Sequence, residues 1–182
     1  DGSERIVTKP FFLEYPIAHR GFHTGTKIPE NSLQAFEEAC KSGYAIELDC
    51  HYHQMTGEIV VFHDEDLVRI CNDSRKLQDV SLNELLKISL YETDQYIPTL
   101  DQVLELVAGR VPLLIETKQL QSNGEFETTL VKKMESYQGE WAMQSFHHGA
   151  LYWIERHFPH VIKGMLSGSM VDAEIATWQK VG

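Results

Sequence analysis

Short apolar runs alternate with amphipathic segments along most of this chain. The apolar runs, each bounded by polar residues, occupy positions 16–18, 45–50, 59–63, 111–117, 141–146 and 161–166. The segments with apolar residues at helical spacing follow Asn31 or Ser32 and cover 82–88, 100–107, 126–137, 150–158 and 172–181. Short apolar strands that alternate with helices are typical of a parallel sheet. The pattern therefore predicts an α/β protein.

Polar and reactive residues recur where the predicted strands end. They are His19 and Arg20, Glu47 and Asp49, His63, Glu116 and Lys118, and Gln144 and Ser145. In a (β/α) barrel the carboxyl ends of all strands meet at one face, which carries the active site. The rival arrangement, a doubly wound open sheet, would favour a glycine-rich phosphate turn after the first strand. The sequence has no such turn, so a barrel is predicted.

The densest group of such residues lies between positions 43 and 64. Glu47 and Asp49 alternate with apolar neighbours, so both carboxylates project from the same face of one strand. Two carboxylates at that spacing form an oxygen site for a hard cation, and His63, at the end of the next apolar run, can move a proton. Either motif alone is more often structural. Carboxylates among apolar neighbours need compensation, which a metal, an arginine or a lysine can supply.

Charge and composition narrow the classes of partner. The 182-residue chain has a net charge of −11, which argues against nucleic acid, because phosphate backbones require a basic surface. No apolar stretch reaches the length of a membrane span, so stable membrane insertion is not expected. The chain start lacks the apolar core of a signal peptide, so a cytoplasmic location is expected. Three scattered cysteines predict reduced, mostly buried thiols, with a disulfide between two of them left open.

Seven short motifs occur in one order along the chain. In them the chain resembles the glycerophosphodiester phosphodiesterase family, over positions 16 to 166. The motifs are AHRG at 18–21, PEN at 29–31, ELD at 47–49, FHD at 62–64, IPTL at 97–100, IETK at 115–118 and QSF at 144–146. Each motif is weak alone, but seven in order are specific.

The resemblance implies a TIM (β/α)8 barrel that uses one divalent metal, Mg²⁺ or Ca²⁺, to cleave glycerophosphodiesters into glycerol 3-phosphate and an alcohol. The implied roles are metal carboxylates for Glu47, Asp49 and Glu116, general acid and base for His19 and His63, and phosphate contacts for Arg20 and Lys118. Glu30 is expected near the first-strand part of the site.

The chain also departs from the family pattern. About six of the eight barrel strands are evident, and six strands cannot close such a barrel. We therefore expect a single barrel domain over residues 1–182 that is incomplete at its C-terminal end, with residues 167–169 marking a break. His51 and His53 stand where the family more often has small polar residues, and we expect them at the pocket rim rather than on a metal. His147 and His148 are expected to begin a helix.

Two other functions remain open. A phospholipase D of the sphingomyelinase type has a similar barrel and paired histidines, but it would need an apolar membrane-facing loop, and none is convincing here. A non-catalytic phosphate-binding barrel would lose at least one of the two histidines or three carboxylates, and a metal-independent binder would keep only Arg20 and Lys118. The sequence leaves open the alcohol group, the preferred metal, the oligomeric state, and whether water or a substrate hydroxyl attacks.

Overall fold

A parallel sheet with helical connections forms the body of the protein in a computed structural model, which describes residues 14–118 and 124–166. The strands are β1 (Ile17–His19), β2 (Ala45–His53), β3 (Glu58–Val61), β4 (Leu113–Thr117), β5 (Trp141–Ser145) and β6 (Lys163–Met165). The helices are α1 (Leu33–Lys41), α2 (Val68–Cys71), α3 (Leu82–Leu85), α4 (Leu100–Val107), α5 (Glu125–Glu135) and α6 (His148–His157), with a 3-10 turn at Leu77–Asp79.

Five of the strands are parallel, in the order β1-β2-β4-β5-β6, and helices connect most of them. This is the curled sheet of part of a (β/α)8 barrel, as predicted. The register sets polar residues side by side, because His19 pairs with Glu47 on β2 while Asp49 pairs with Glu116 on β4. Gln144 continues the second row on β5. The strand ends therefore converge at one face.

The prediction that all six strands are parallel is wrong for the third strand. β3 runs antiparallel to β2, so among the described residues the parallel sheet has five strands. Only residues 54–57 join the two strands, whereas a parallel crossover needs about a dozen residues or more. β2 is also longer than predicted, because it extends to His53 in order to pair with β3. The hairpin returns the chain to the site, where the Phe62 amide donates to the Asp49 carbonyl oxygen at 2.9 Å.

Residues 54–97, here called the hairpin lobe, pack around an apolar cluster of their own. Along β3 the side chains alternate, because Ile59 and Val61 join the main core whereas Val60 joins the lobe cluster. The lobe cluster consists of Val60, Phe62, Leu67, Ile70, Leu77, Val80, Leu85, Leu90 and Ile97. The two cores therefore meet across one strand.

Side-chain hydrogen bonds cap α1, α4 and α6 where the sequence predicted that these helices begin. Ser32 caps α1, and Thr99 forms a reciprocal capping box with Gln102 at the start of α4. His147 caps α6, since its Nδ1 accepts from the Ala150 amide at 3.1 Å. These side chains satisfy amide groups that have no partner within their own helix.

Three further expectations bear on the chain as a whole. The cysteines Cys40, Cys50 and Cys71 are free, as predicted. No helix in the described ranges is both long and apolar enough to cross a membrane. The last predicted helix, 172–181, and the predicted break at 167–169 lie outside the described residues.

Candidate active site

Three carboxylates meet at the carboxyl ends of β2 and β4. Glu47 and Asp49 project from one face of β2, and Glu116 lies next to Asp49 in the register of β4. One oxygen of each lies within 4.8 Å of the others. All three are buried, with exposed fractions of 3%, 1% and 6%. The alternation in the sequence predicted the first two on one face, and the parallel pairing adds the third.

Burial makes this cluster electrostatically costly. It raises the pKa of the Glu47 carboxyl well above its usual value, and the charges of Asp49 and Glu116 add to the effect. Burial and the Asp49 charge likewise raise the pKa of Glu116. Within the described chain, Glu47 Oε1 and Asp49 Oδ1 have no hydrogen-bond partner. Closely spaced, buried and unsatisfied carboxylate oxygens are the donors that a hard divalent cation takes, so the residues fit a metal site.

Two positive side chains offset part of that negative charge. Lys118 contacts Glu116, and its Nζ lies 3.5 Å from Asp49 Oδ1. Arg20 Nε lies 3.6 Å from Asp49 Oδ2. Although burial opposes it, the charges of Asp49 and Glu116 raise the pKa of Lys118, which therefore stays protonated. Both predicted phosphate contacts thus lie against the carboxylate cluster.

The loop between β1 and α1 is shaped to reach the cluster. Arg20 and Asn31 adopt left-handed backbone conformations, with φ of 58° and 54°. Its conformation lets the Arg20 amide donate to Glu47 Oε2 at 3.2 Å, while Asn31 Nδ2 donates to Asp49 Oδ2 at 3.0 Å. Non-glycine residues enter this region rarely and often at functional sites. Asn31 is thus a site residue that the sequence assigned only as a possible helix cap.

His19 lies directly beside the cluster. Its Nε2 is 3.5 Å from Glu47 Oε2. Partial burial and the neighbouring charge of Arg20 lower the pKa of His19. The imidazole is therefore neutral near pH 7, with a ring nitrogen that can accept a proton.

His63 reaches the site from the hairpin lobe. Its Nδ1 lies 2.7 Å from Asp64 Oδ1. A carboxylate can only accept, so Nδ1 carries the proton of the neutral ring. Nε2 is buried and has no hydrogen-bond partner among the described residues, which leaves it available to a bound molecule.

The two histidines that were expected at the pocket rim are buried instead. His51 Nε2 lies 3.1 Å from the His63 carbonyl oxygen and so fixes the backbone at that residue. His53 is fully buried, and its ring nitrogens hydrogen bond to Thr56 and to the carbonyl of Val80. The extension of β2 into the hairpin explains the error, because it covers both rings with lobe residues.

A comparison of the sequence with known protein families identifies the family of the chain. The sequence model of the Glycerophosphoryl diester phosphodiesterase family matches residues 19–179. The chain belongs to this family. The resemblance drawn from the seven motifs is thereby confirmed.

Curated relatives and solved structures agree with the family assignment. The chain is 34% identical to a glycerophosphodiester phosphodiesterase of Bacillus altitudinis and 33% identical to one of Caldanaerobacter subterraneus, over 85% and 82% of its length. It spans about two thirds of those relatives, 67% and 65%. A Galdieria sulphuraria structure described as a putative glycerophosphodiester phosphodiesterase superposes with a TM-score of 0.74 at 25% identity, covering 84% of this chain and 64% of that one.

A second structure shares the fold of this family member at lower identity. It is an Oleispira antarctica phosphodiesterase in complex with the product sn-glycerol-3-phosphate. The TM-score is 0.75 at 24% identity, with 93% of this chain and 71% of that chain covered. These neighbours are TIM barrels, so the predicted fold class is confirmed.

Three charged residues of the site were missed or left without a role. Glu30 and Asp64 lie inside the PEN and FHD motifs, which was the signal for them. Arg69 gave no signal, because it stands in a polar stretch of the hairpin lobe. Its contacts, described below, link Glu30 to Asp64.

Proposed function

We propose that this chain is a metal-dependent phosphodiesterase that hydrolyses glycerophosphodiesters to glycerol 3-phosphate and an alcohol. One observation supports it most directly, namely the buried carboxylate cluster with a histidine from β1 and a histidine from the hairpin lobe reaching the same face. Family membership and the similarity to phosphodiesterases support the substrate class.

Glu47, Asp49 and Glu116 would hold one divalent cation. Their oxygen donors suit Mg²⁺ or Ca²⁺, which both prefer carboxylates. Such a cation supplies Lewis acidity at a phosphoryl oxygen. The carboxylates also hold the Arg20 and Lys118 side chains beside this cation site.

Arg20 and Lys118 would bind the phosphate. The planar Arg20 guanidinium can donate to two phosphate oxygens, whereas the Lys118 ammonium supplies a point charge. Both are tethered by Asp49, since each lies within 3.6 Å of one of its oxygens. The charge on the phosphate grows along the reaction path, so these preorganised groups would stabilise the transition state more than the bound substrate.

His19 and His63 would exchange the protons of the reaction. Neutral His19 accepts the proton of the attacking hydroxyl, which belongs to water or to the glycerol moiety. His63 would act in its doubly protonated form: with Nδ1–H held by Asp64, it donates the Nε2 proton to the departing alkoxide and returns to the neutral Nδ1–H ring. A pair of imidazoles can thereby serve both ends of the displaced bond near neutral pH.

The decisive experiment measures glycerol 3-phosphate release from glycerophosphocholine and glycerophosphoethanolamine. We expect release that stops in EDTA and returns with Mg²⁺ or Ca²⁺, and a variant Glu47→Gln that needs more metal for half-maximal rate. Release that persists in EDTA after exhaustive dialysis would refute the metal. No release with any metal would leave the non-catalytic phosphate-binding barrel, and turnover of sphingomyelin instead would favour a phospholipase D.

A further inference from the structure

Arg69 connects two carboxylates near the site, Asp64 and Glu30, yet neither the motifs nor the proposed reaction assigns it a role. It lies on α2 of the hairpin lobe. Its Nε and Nη2 donate to the two oxygens of Asp64, each at 3.0 Å. Asp64 in turn accepts from Nδ1 of His63 at 2.7 Å. A planar guanidinium therefore holds both oxygens of the carboxylate that orients His63.

Glu30 extends this chain of contacts across the mouth of the site. Its buried carboxylate accepts from Arg69 with one oxygen and from Arg20 with the other. The result is a row of alternating charges that runs through Arg20, Glu30, Arg69 and Asp64 and ends at the His63 ring. It begins on the β1–α1 loop and ends on the hairpin lobe, which has an apolar cluster separate from the main core.

We propose that Arg69 is a positioning residue that fixes the orientation and tautomer of His63 through Asp64, and that Glu30 ties this unit to Arg20. The proposal rests on the proposed function, in which His63 exchanges a proton. A carboxylate held by a fork cannot rotate away from the imidazole, so the proton stays on Nδ1 and Nε2 stays directed into the site.

The simpler interpretation of the Arg69–Asp64 contact is an exposed ion pair, which contributes little to stability. The Arg69 side chain is indeed 45% exposed. The charge row argues otherwise, because Glu30 is buried and would be left with Arg20 alone if Arg69 were removed. The ionisation of Asp64 agrees with the geometry. Although burial opposes it, hydrogen bonds from Arg69 and His63 lower the pKa of Asp64 to about 2.

The hairpin lobe provides a matched control in Arg75. This arginine forks onto Asp73 at 3.0 and 2.8 Å and reaches Glu84 at 2.8 Å. Its side chain is 41% exposed, close to the value for Arg69. Since it has the same chemistry without any link to His63, Arg75→Met measures what the loss of such a fork does to the lobe alone.

The first test is steady-state kinetics on metal-saturated protein. We expect Arg69→Met to lower kcat by about 10- to 100-fold, the effect of losing a partner that orients a catalytic histidine, with KM within twofold of wild type. Arg69→Lys should recover part of the rate, Arg75→Met should match wild type, and the double variant with Asp64→Asn should fall no further than Asp64→Asn alone. An unchanged kcat, an equal loss in Arg75→Met, or a change confined to KM would overturn the proposal.

The second test does not depend on turnover. Nitrogen-15 NMR of the imidazoles reports which ring nitrogen of neutral His63 carries the proton. Wild-type protein and Arg75→Met should show the Nδ1–H form, and Arg69→Met a mixture of both forms. Identical spectra for all three would overturn the positioning role, whereas absent glycerol 3-phosphate release by wild-type protein would overturn only the proposed function.

Discussion

Replacing Lys118 with methionine tests how the carboxylate cluster is held together without metal. Lys118→Met keeps the length of the side chain and removes its charge. The lost charge lies 3.5 Å from Asp49 and also contacts Glu116. At an effective dielectric constant of ~20, one pair of charges at that distance interacts by about 5 kcal/mol.

The net effect is smaller than that Coulomb energy. The lysine no longer has to be desolvated, Arg20 still faces Asp49, and a carboxyl group can take up a proton. We expect the metal-free protein to lose about 2 to 3 kcal/mol of unfolding free energy, below the ~3–5 kcal/mol for a fully broken buried pair. The loss should be larger at higher pH. Burial raises the pKa values of Glu47 and Glu116 above the ordinary value of 4.5, and the Lys118 charge opposes that effect. Without Lys118 both carboxyl groups cost more to ionise, so the variant loses more stability than wild type as the pH rises from below 4.5.

The assay is urea unfolding in EDTA at pH 5 and pH 8, repeated with Mg²⁺, together with steady-state kinetics. Mg²⁺ should stabilise Lys118→Met at least as much as wild type, while KM rises and kcat falls. Lys133→Met is the matched control, because Lys133 is equally buried and pairs with Glu58 and Asp101 away from the site. It should lose stability without a change in kcat, KM or metal response. If Lys118→Met behaves like wild type in all of these measurements, the Glu116–Lys118 contact is merely a surface pair.

Three further outcomes follow from the structure. His19→Ala and His63→Ala should each lower kcat by about 10²- to 10⁴-fold in the glycerol 3-phosphate assay. The double variant should lose less than the product of the two single effects. A near-normal kcat in either single variant would make that histidine structural. Thr99→Ala should cost about 1 kcal/mol in urea unfolding through loss of its capping box, and no change would contradict the cap. Gly21→Ala should lower Tm more than Gly25→Ala, because both have positive φ but only at Gly21 would a β-carbon lie 2.8 Å from a side chain of α1; equal shifts would refute this packing argument.

The strands and their polar ends were predictable because their signals are local. Glu47 and Asp49 share a face by alternation alone, and Thr99 stands where a helix needs a cap. The direction of β3 was also within reach, since a linker as short as residues 54–57 permits only a hairpin. The alternation of apolar runs with helices indicated parallel strands throughout, whereas the short turn before β3 indicates an antiparallel pair, as the structure has it.

The remaining site features depend on contacts between distant parts of the chain. Glu30 and Arg69 are 39 positions apart, and neither lies in a periodic pattern that would bring them together. His51 and His53 were expected at the pocket rim because they follow Asp49 along the chain, yet in the fold they are buried hydrogen-bond partners of lobe residues. Such contacts are set by how the lobe docks, which no local spacing encodes.

The single strand β2 belongs both to the main sheet and to the hairpin lobe, which pack around separate apolar clusters. Its first half pairs with β1 and β4 and carries Glu47 and Asp49, whereas its last residues pair with β3 and carry the hairpin lobe. Substitutions inside the lobe cluster can therefore reshape one wall of the site while the carboxylates stay anchored in the sheet. The position of His63 can therefore change through the lobe without disturbing the strands that carry the acidic residues.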